Sequence, residues 1–181
     1  MSANQIARIG TLLKLVENVP GLGRTALMKL CFFLQTLQRV PLNYSFSLYS
    51  YGPFDADVLA DLQTAEGLGV LSSQVNFYSG GYGYSIGKGP QASAILPMSS
   101  PFVDAYTKQI AWVTSTFGGF NASDLELLST TVFVAAKDPN LNDEGIAQQV
   151  NKIKPHFSIP QIQEKMGWLS AKGLLRAGII Q

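Results

Sequence analysis

The chain has 181 residues, of which 46% are apolar and only 14% are charged, and its net charge is +1. This length corresponds to one domain or two small ones, and the composition excludes an intrinsically disordered chain, which needs low hydrophobicity and high charge. The near-neutral balance gives no overall positive field to attract nucleic acid. The single cysteine, Cys31, lies in an apolar run and is predicted to be a buried, unreactive thiol.

Hydrophobic periodicity predicts three helices and a hairpin in the first half of the chain. Apolar residues recur there at three- and four-residue spacing, and Gly and Pro punctuate the segments. The second helix is apolar on nearly every face, which is typical of a central helix. The predicted elements are helices over residues 6–16, 27–37 and 55–66, with Asp55 as N-cap of the third, a strand over 44–49, and a hairpin whose first strand opens at 70–71, whose turn is Gly80-Gly81 and which ends at 87–90.

The second half is predicted to be helical. Ser123 with Glu126, and Ser158 with Gln161, have the spacing of capping boxes, which satisfy two orphan amides at a helix N-terminus. The predicted helices cover residues 102–117, 123–132, 146–153 and 158–173.

The order of these elements is that of a winged-helix module followed by helices. The predicted fold is therefore α+β and mostly helical, with a winged-helix-like N-terminal half that carries a β-hairpin wing, packed against a helical C-terminal half. The corresponding domains are residues 1–95 and 101–181. Residues 55–66 take the position of the recognition helix.

The distribution of charge along the chain argues against DNA recognition by the predicted helix over residues 55–66. Residues 1–39 hold five basic residues and one acidic residue, whereas residues 40–103 hold one basic and four acidic residues. A helix that reads DNA approaches phosphates and normally carries Lys or Arg, and residues 55–66 carry neither. Nucleic acid is therefore an unlikely partner of this helix. Its aspartates, which we expect to face water, are Asp55, Asp57 and Asp61.

A basic region near the C-terminus supports an alternative. The last thirty residues hold five basic side chains and one acidic side chain, Glu164. An anion-facing surface there would suit a DNA-binding transcriptional regulator. The residues concerned are Lys152, Lys154, Lys165, Lys172 and Arg176.

Two short motifs match enzyme patterns by letter but not by context. Residues 83–87 read Gly-Tyr-Ser-Ile-Gly, the G-x-S-x-G of hydrolases, which requires a strand, a sharp turn and a helix. Residues 21–26 match a dinucleotide-binding pattern, but that pattern requires a strand before it. The segment that precedes residue 21 is predicted to be a helix, so the match is a turn between helices. A hydrolase using Ser85 is therefore a second, weaker alternative. With one His and one Cys far apart, structural zinc is excluded, and we expect no metal, no cofactor and no catalytic residue.

The N-terminus lacks the charged and apolar regions of a secretory signal, and no stretch approaches the roughly 18 apolar residues of a membrane span. We therefore expect a cytoplasmic protein that has no membrane contact.

Two segments resemble a known family. Residues 27–35, Leu-Met-Lys-Leu-Cys-Phe-Phe-Leu-Gln, resemble its Leu-x-Lys-Leu-x-Tyr-Phe-x-Gln helix, and residues 46–54, Phe-Ser-Leu-Tyr-Ser-Tyr-Gly-Pro-Phe, resemble its Tyr-Gly-Pro-aromatic signature. The family is that of the YwgA-like proteins, with a more distant likeness to the Panacea domain of SocA-type antitoxins. The resemblance covers nearly the whole chain and departs from the pattern at Phe32 and Phe33, where a Tyr is usual. It implies toxin neutralisation or adaptor work through protein contacts.

We therefore predict a non-enzymatic protein-interaction or regulatory module, antitoxin-like, whose partner is another protein such as a toxin, or a second copy in a homodimer. Exposed aromatic side chains are strong interface anchors, and the two faces of a hairpin cannot both be core. Gly52 and Pro53 are expected to form a structural turn, with positive φ at Gly52, that fixes the third helix against the second. The candidate contact residues are Tyr49, Tyr51, Phe54, Tyr78, Tyr82 and Tyr84.

Overall fold

The computed structural model describes residues 1–177. Within this range the chain forms eight helices and two antiparallel hairpins, which confirms the mostly helical α+β class. The elements are α1 (Ala3–Asn18), α2 (Arg24–Leu37), β1 (Ser47–Tyr49), β2 (Gly52–Phe54), α3 (Ala56–Gly67), β3 (Leu71–Tyr78), β4 (Gly81–Lys88), α4 (Ala92–Ala105), α5 (Thr107–Phe117), α6 (Ala122–Lys137), α7 (Asp143–Ile153) and α8 (Ile159–Ala171).

Internal contacts divide the chain into two compact units. The first comprises Met1–Ser45 and Asp55–Phe120, and the second comprises Phe46–Phe54 and the chain from Asn121 onward. The short β1–β2 hairpin thus belongs to the second unit although it precedes α3 in sequence. The domain boundary that the sequence suggests, between residues 95 and 101, falls inside α4. Residues 178–181 of the predicted second domain lie outside the described residues.

Helix α2 is the centre of the first unit, as its composition predicts. Every residue of Leu27–Leu34 is buried, so other elements cover the helix on all sides. Phe33 stacks on Phe117 of α5 with a centroid distance of 3.9 Å. Cys31 is buried as expected, and burial raises the pKa of its thiol, which keeps it protonated and unreactive.

Helix α6 is the centre of the second unit. Its residues from Leu125 to Val132 are all buried, and α7, α8 and β2 pack on it. The predicted capping box at Ser123 is wrong: Asn121 is the N-cap and accepts a hydrogen bond from the Asp124 amide at 2.9 Å. The capping box of Ser158 with Gln161 at the start of α8 is confirmed.

The region predicted as one helix over residues 102–117 consists of two helices. Helix α4 begins at Ala92 and includes both Pro97 and Pro101, and the break comes at Tyr106, whose amide bonds back to the carbonyls of Phe102 and Val103. Proline normally stops a helix because it lacks an amide hydrogen. In α4 the buried side chains at four-residue spacing outweigh that local cost, and they are Ile95, Ser99 and Val103.

The strands of the described chain form two separate two-stranded sheets. Strand β1 pairs with β2, and β3 pairs with β4. In a winged helix the strand before the recognition helix would be expected beside the hairpin; here it turns back on itself at Ser50 and Tyr51. The hairpin that follows α3 is confirmed and covers residues 71–88, within the predicted bounds.

Candidate functional site

One face of the β3–β4 hairpin is apolar over its outer half. Register pairs Val75 with Tyr84 and Phe77 with Tyr82, and because side chains alternate along a strand, these four residues share one face. We call Val75, Phe77, Tyr82 and Tyr84 the hairpin face. Phe77 is 83% exposed, Tyr82 61% and Val75 46%. The rings of Phe77 and Tyr82 lie 6.4 Å apart, and those of Tyr82 and Tyr84 lie 5.9 Å apart.

The base of the hairpin is fixed to the first unit. The Arg24 guanidinium lies 3.6 Å from the ring centroid of Tyr84 and 3.8 Å from the carboxylate of Glu66, which also accepts a hydrogen bond from the Ser73 hydroxyl. The Ile86 amide donates to the Leu22 carbonyl at 2.8 Å. The hairpin face is therefore held at Tyr84 and open to solvent at Phe77 and Tyr82.

Ion pairs also surround this base. Lys88 at the end of β4 lies 2.8 Å from the carboxylate of Glu17, and its hydrogen bond lowers the pKa of Glu17 below the ordinary value. Lys14 pairs with the same carboxylate at 3.2 Å. The basic residues around the hairpin base thus have acidic partners within the unit.

The six predicted contact aromatics do not form one set. Tyr78 lies on the opposite face of the hairpin from Tyr82 and Tyr84, where it covers Gly83 and donates a hydrogen bond to the Tyr82 carbonyl at 3.1 Å. Tyr49, Tyr51 and Phe54 belong to the second unit. Sequence alternation could have separated Tyr78 from Tyr82, and it also points to Val75 and Phe77, which our candidate set omits.

The Gly52 turn is seated on α6. Gly52 has a φ of +88°, as predicted, and both Gly52 and Pro53 are buried. A Cβ on Gly52 would lie 2.9 Å from the Thr130 hydroxyl and 3.3 Å from the Ser129 hydroxyl. We expected this turn to fix the third helix against the second. The turn packs closely on α6 instead. Only a residue without a side chain at position 52 allows the backbone to approach that helix so closely.

Substitution of Gly52 is expected to destabilise the second unit. Gly52→Ala combines a left-handed backbone with a clash against α6, and should lower the free energy of unfolding by about 2–3 kcal/mol. Gly173 has a φ of +69°, and a Cβ added there would meet no atom within 4 Å, so Gly173→Ala isolates the backbone cost of about 1 kcal/mol. Urea denaturation measures both. Equal effects of the two substitutions would contradict the packing of Gly52 on α6.

A buried lysine holds the same turn from the other side. Lys154 is 3% exposed, and its ammonium donates to the carbonyls of Tyr49 at 3.3 Å and Ser50. It also lies 2.8 Å from the Glu126 carboxylate, which His156 approaches at 3.6 Å. The turn thus presents Tyr49 and Tyr51, both exposed, on a fixed backbone. Sequence reasoning treated Lys154 as surface and Glu126 only as part of a helix cap.

Four of the five C-terminal basic residues have partners inside the second unit. Lys154 is buried as described, which corrects its assignment to an anion-facing surface. Lys165 lies 3.0 Å from the Asp124 carboxylate, Arg176 lies 3.0 Å from that of Asp143, and the Lys172 ammonium lies over the Trp168 ring. Carboxylates compensate the charges of Lys154, Lys165 and Arg176, which weakens the case for an anion-binding surface.

Asp61 is buried, contrary to the prediction that it faces water. Its carboxylate is bound by the Arg8 guanidinium at 2.7 Å and accepts a hydrogen bond from the Tyr44 hydroxyl at 3.0 Å. Burial raises the pKa of Asp61, and the Arg8 charge opposes that rise. Asp57 is exposed and 3.8 Å from Arg8, and Asp55 is the N-cap of α3, as predicted. This cluster joins α1, α3 and the segment after α2.

The remaining motifs have structural roles. Ser85 lies within β4 and pairs with Gln74, so the sharp strand-to-helix turn of a hydrolase nucleophile does not occur there. Among residues 1–177, no three His, Cys, Asp or Glu side chains cluster as metal ligands would. Helices long and apolar enough to cross a bilayer are likewise lacking in the described chain.

No protein-family model matches the chain, and no curated protein matches it in sequence.

Proposed function

We propose that this protein is a non-enzymatic protein-interaction module that binds its partner through the hairpin face. The observation that carries the proposal is the exposure of Phe77 and Tyr82 beside Val75 on a hairpin whose base is fixed. Together they present on the order of 350 Å² of apolar surface, given the size of such side chains. The largest apolar patch on a typical monomer is about 300–600 Å² and is often functional.

The chemistry of the face favours a protein over a charged ligand. Its exposed side chains are aromatic or aliphatic, and Lys88 at the base is paired with Glu17. Aromatic anchors on a fixed scaffold lose little conformational freedom on binding, and they dominate the energetics of many interfaces. The resemblance to Panacea-domain antitoxins adds an expectation about the partner, namely a toxin, and a homodimer through the same face is the simplest assembly.

Light scattering at micromolar concentration tests the proposal. We expect a mass above the 19.6 kDa of one chain, and Phe77→Ser should weaken association by about 2 kcal/mol, roughly thirtyfold in Kd. Asn76→Ser is the matched control, because Asn76 is exposed on the opposite face and should leave the mass unchanged.

Photo-crosslinking in cells that produce the protein is the second measurement. A photo-crosslinking amino acid is placed at position 77 in one variant and at position 76 in the other. Position 77 should capture one defined protein, either a second copy or a different chain, and position 76 should not. A monomer in light scattering, together with equal crosslinking from both positions, would exclude the hairpin face as an interaction surface.

A further inference from the structure

An apolar groove lies beside β1 in the second unit. Its volume is about 510 Å³, within the roughly 300–1,000 Å³ that is common for ligand-binding clefts. Residues of β1 form one wall, and α6, α7 and the loop between them form the other. The apolar lining consists of Phe46, Leu48, Phe133, Val134, Leu141 and Ile153.

Pro53 determines which main-chain groups of β1 are free. Pro53 lies opposite Leu48 and has no amide hydrogen, so these two residues cannot exchange a pair of hydrogen bonds. Bonded and non-bonded pairs alternate along an antiparallel ladder. Ser47 and Tyr49 therefore bond to β2, and the N–H and C=O of Leu48 point to the opposite edge. Ser47 and Leu48 both line the groove, although their side chains point to opposite faces of the strand, so the groove reaches the edge of β1.

The strand is short but preformed. The buried ammonium of Lys154 binds the carbonyls of Tyr49 and Ser50, and Gly52 is packed on α6. An edge strand with unpaired main-chain groups is a template for pairing with another chain. Because the strand is already held in place, a ligand that pairs with it does not have to order it first.

The rim of the groove carries a lysine that lacks an ionic partner among the described residues. Lys137 is exposed, its Nζ lies 6.0 Å from the centroid of the Phe133 ring, and no carboxylate of residues 1–177 is within salt-bridge distance of it. The neighbouring Asp138 also lines the groove, and its Oδ1 accepts a hydrogen bond from the Asn140 amide in its own turn. Lys137 is the cation among the lining residues, and an acidic group of a ligand would pair with it.

We propose that the groove binds an extended peptide segment of a partner protein, which adds to the free edge of β1 as a third strand. One apolar side chain of the peptide enters the groove between α6 and α7, and an acidic side chain pairs with Lys137. In this mode of recognition main-chain hydrogen bonds supply affinity and the pocket supplies specificity. The site goes beyond the proposed function, because it is a second binding surface with its own class of partner. It lies in the other unit from the hairpin face, so variants distinguish the two.

Selection of random linear peptides displayed on phage, with the full chain as bait, tests this proposal. The enriched peptides should share an apolar residue with Asp or Glu within two positions of it. Fluorescence anisotropy measures the binding of synthetic versions of these peptides. They should bind the wild-type chain, and they should bind Leu48→Pro, which lacks the edge amide, at least tenfold more weakly. Leu48→Ala keeps that amide and should bind more tightly than Leu48→Pro. Lys137→Glu should reverse the preference, so that a peptide with Lys in place of its acid binds better.

Hydrogen exchange in the wild-type chain gives a readout that needs no variant. The Leu48 amide should exchange at least tenfold more slowly when peptide saturates the protein, because it then donates to the added strand. The matched control is Lys152→Met, which removes an exposed lysine that does not line the groove and should leave peptide binding unchanged. The proposal is overturned if no peptide is enriched, if Leu48 exchange is unaffected by bound peptide, or if Leu48→Pro binds the peptide as tightly as the wild-type chain.

Discussion

Lys154→Met is expected to lower the free energy of unfolding by about 3–5 kcal/mol, since breaking a buried ion pair leaves one charge without a partner. The ammonium of Lys154 is the group nearest to the buried Glu126 carboxylate, at 2.8 Å. It is also a donor to the carbonyls of Tyr49 and Ser50. Methionine fills a similar volume without a charge, so the loss reports the interactions rather than a cavity. Urea denaturation is the measurement.

Two further variants make that result specific. Lys152→Met removes an exposed lysine two residues away and should change stability by no more than about 0.5 kcal/mol. The double variant Lys154→Met with Glu126→Leu should recover most of the loss, because replacing both charges by apolar groups leaves no buried ion unpaired. A double variant as unstable as Lys154→Met alone would show that the backbone contacts, not the ion pair, dominate.

Arg8→Met is expected to lower the free energy of unfolding by a similar amount at neutral pH, about 3–5 kcal/mol, and by a smaller amount in acid. Arg8 binds the buried Asp61 carboxylate. Burial raises the pKa of Asp61 and Arg8 lowers it, so the substitution raises that pKa further. A folded-state pKa above the unfolded value means that the native state binds the proton more readily, and its stability rises as pH falls through the folded-state pKa. The deficit should therefore shrink as the pH is lowered from 7 to about 4, near the ordinary pKa of an aspartate.

Asp61→Asn separates the charge effect from packing. In a chain that carries Asp61→Asn, the free energy of unfolding lost through Arg8→Met should not depend on pH over the same interval, because no buried carboxylate remains to titrate beside Tyr44. Urea denaturation at both pH values compares the single and double variants. An Arg8→Met deficit that is constant or grows in acid would contradict the assignment of Asp61 as a buried, charged partner of Arg8.

Local sequence determined the features that depend on nearby residues. The apolar run of residues 27–34, which only Lys29 interrupts, predicted the central helix α2, since such a helix is stable only when covered on all sides. Asp55 and Ser158 were predictable as caps because a cap bonds to amides two or three residues away. The positive φ of Gly52 followed from the turn context. The mostly helical class followed from the same periodicities.

Tertiary structure alone decided which charged residues are buried. Asp61 meets Arg8 from 53 residues away, and Lys154 meets the carbonyls of Tyr49 and Ser50 from more than 100 residues away. Charged side chains are rarely buried unless paired, and no local pattern reveals a distant partner. Sequence reasoning therefore placed both Asp61 and Lys154 in solvent.

The arrangement of strands and prolines was likewise a tertiary decision. The Gly-Pro segment forms a two-stranded hairpin that packs on α6, about 70 residues or more later in the chain, so no local signal assigns it to the second unit. Pro97 and Pro101 lie inside α4 because long-range packing of its buried face outweighs the local preference to stop. The alternation of residues 71–88 predicted a hairpin with two unlike faces, but only the position of Arg24 and Glu66 around Tyr84 decided which end is fixed and which is exposed to a partner.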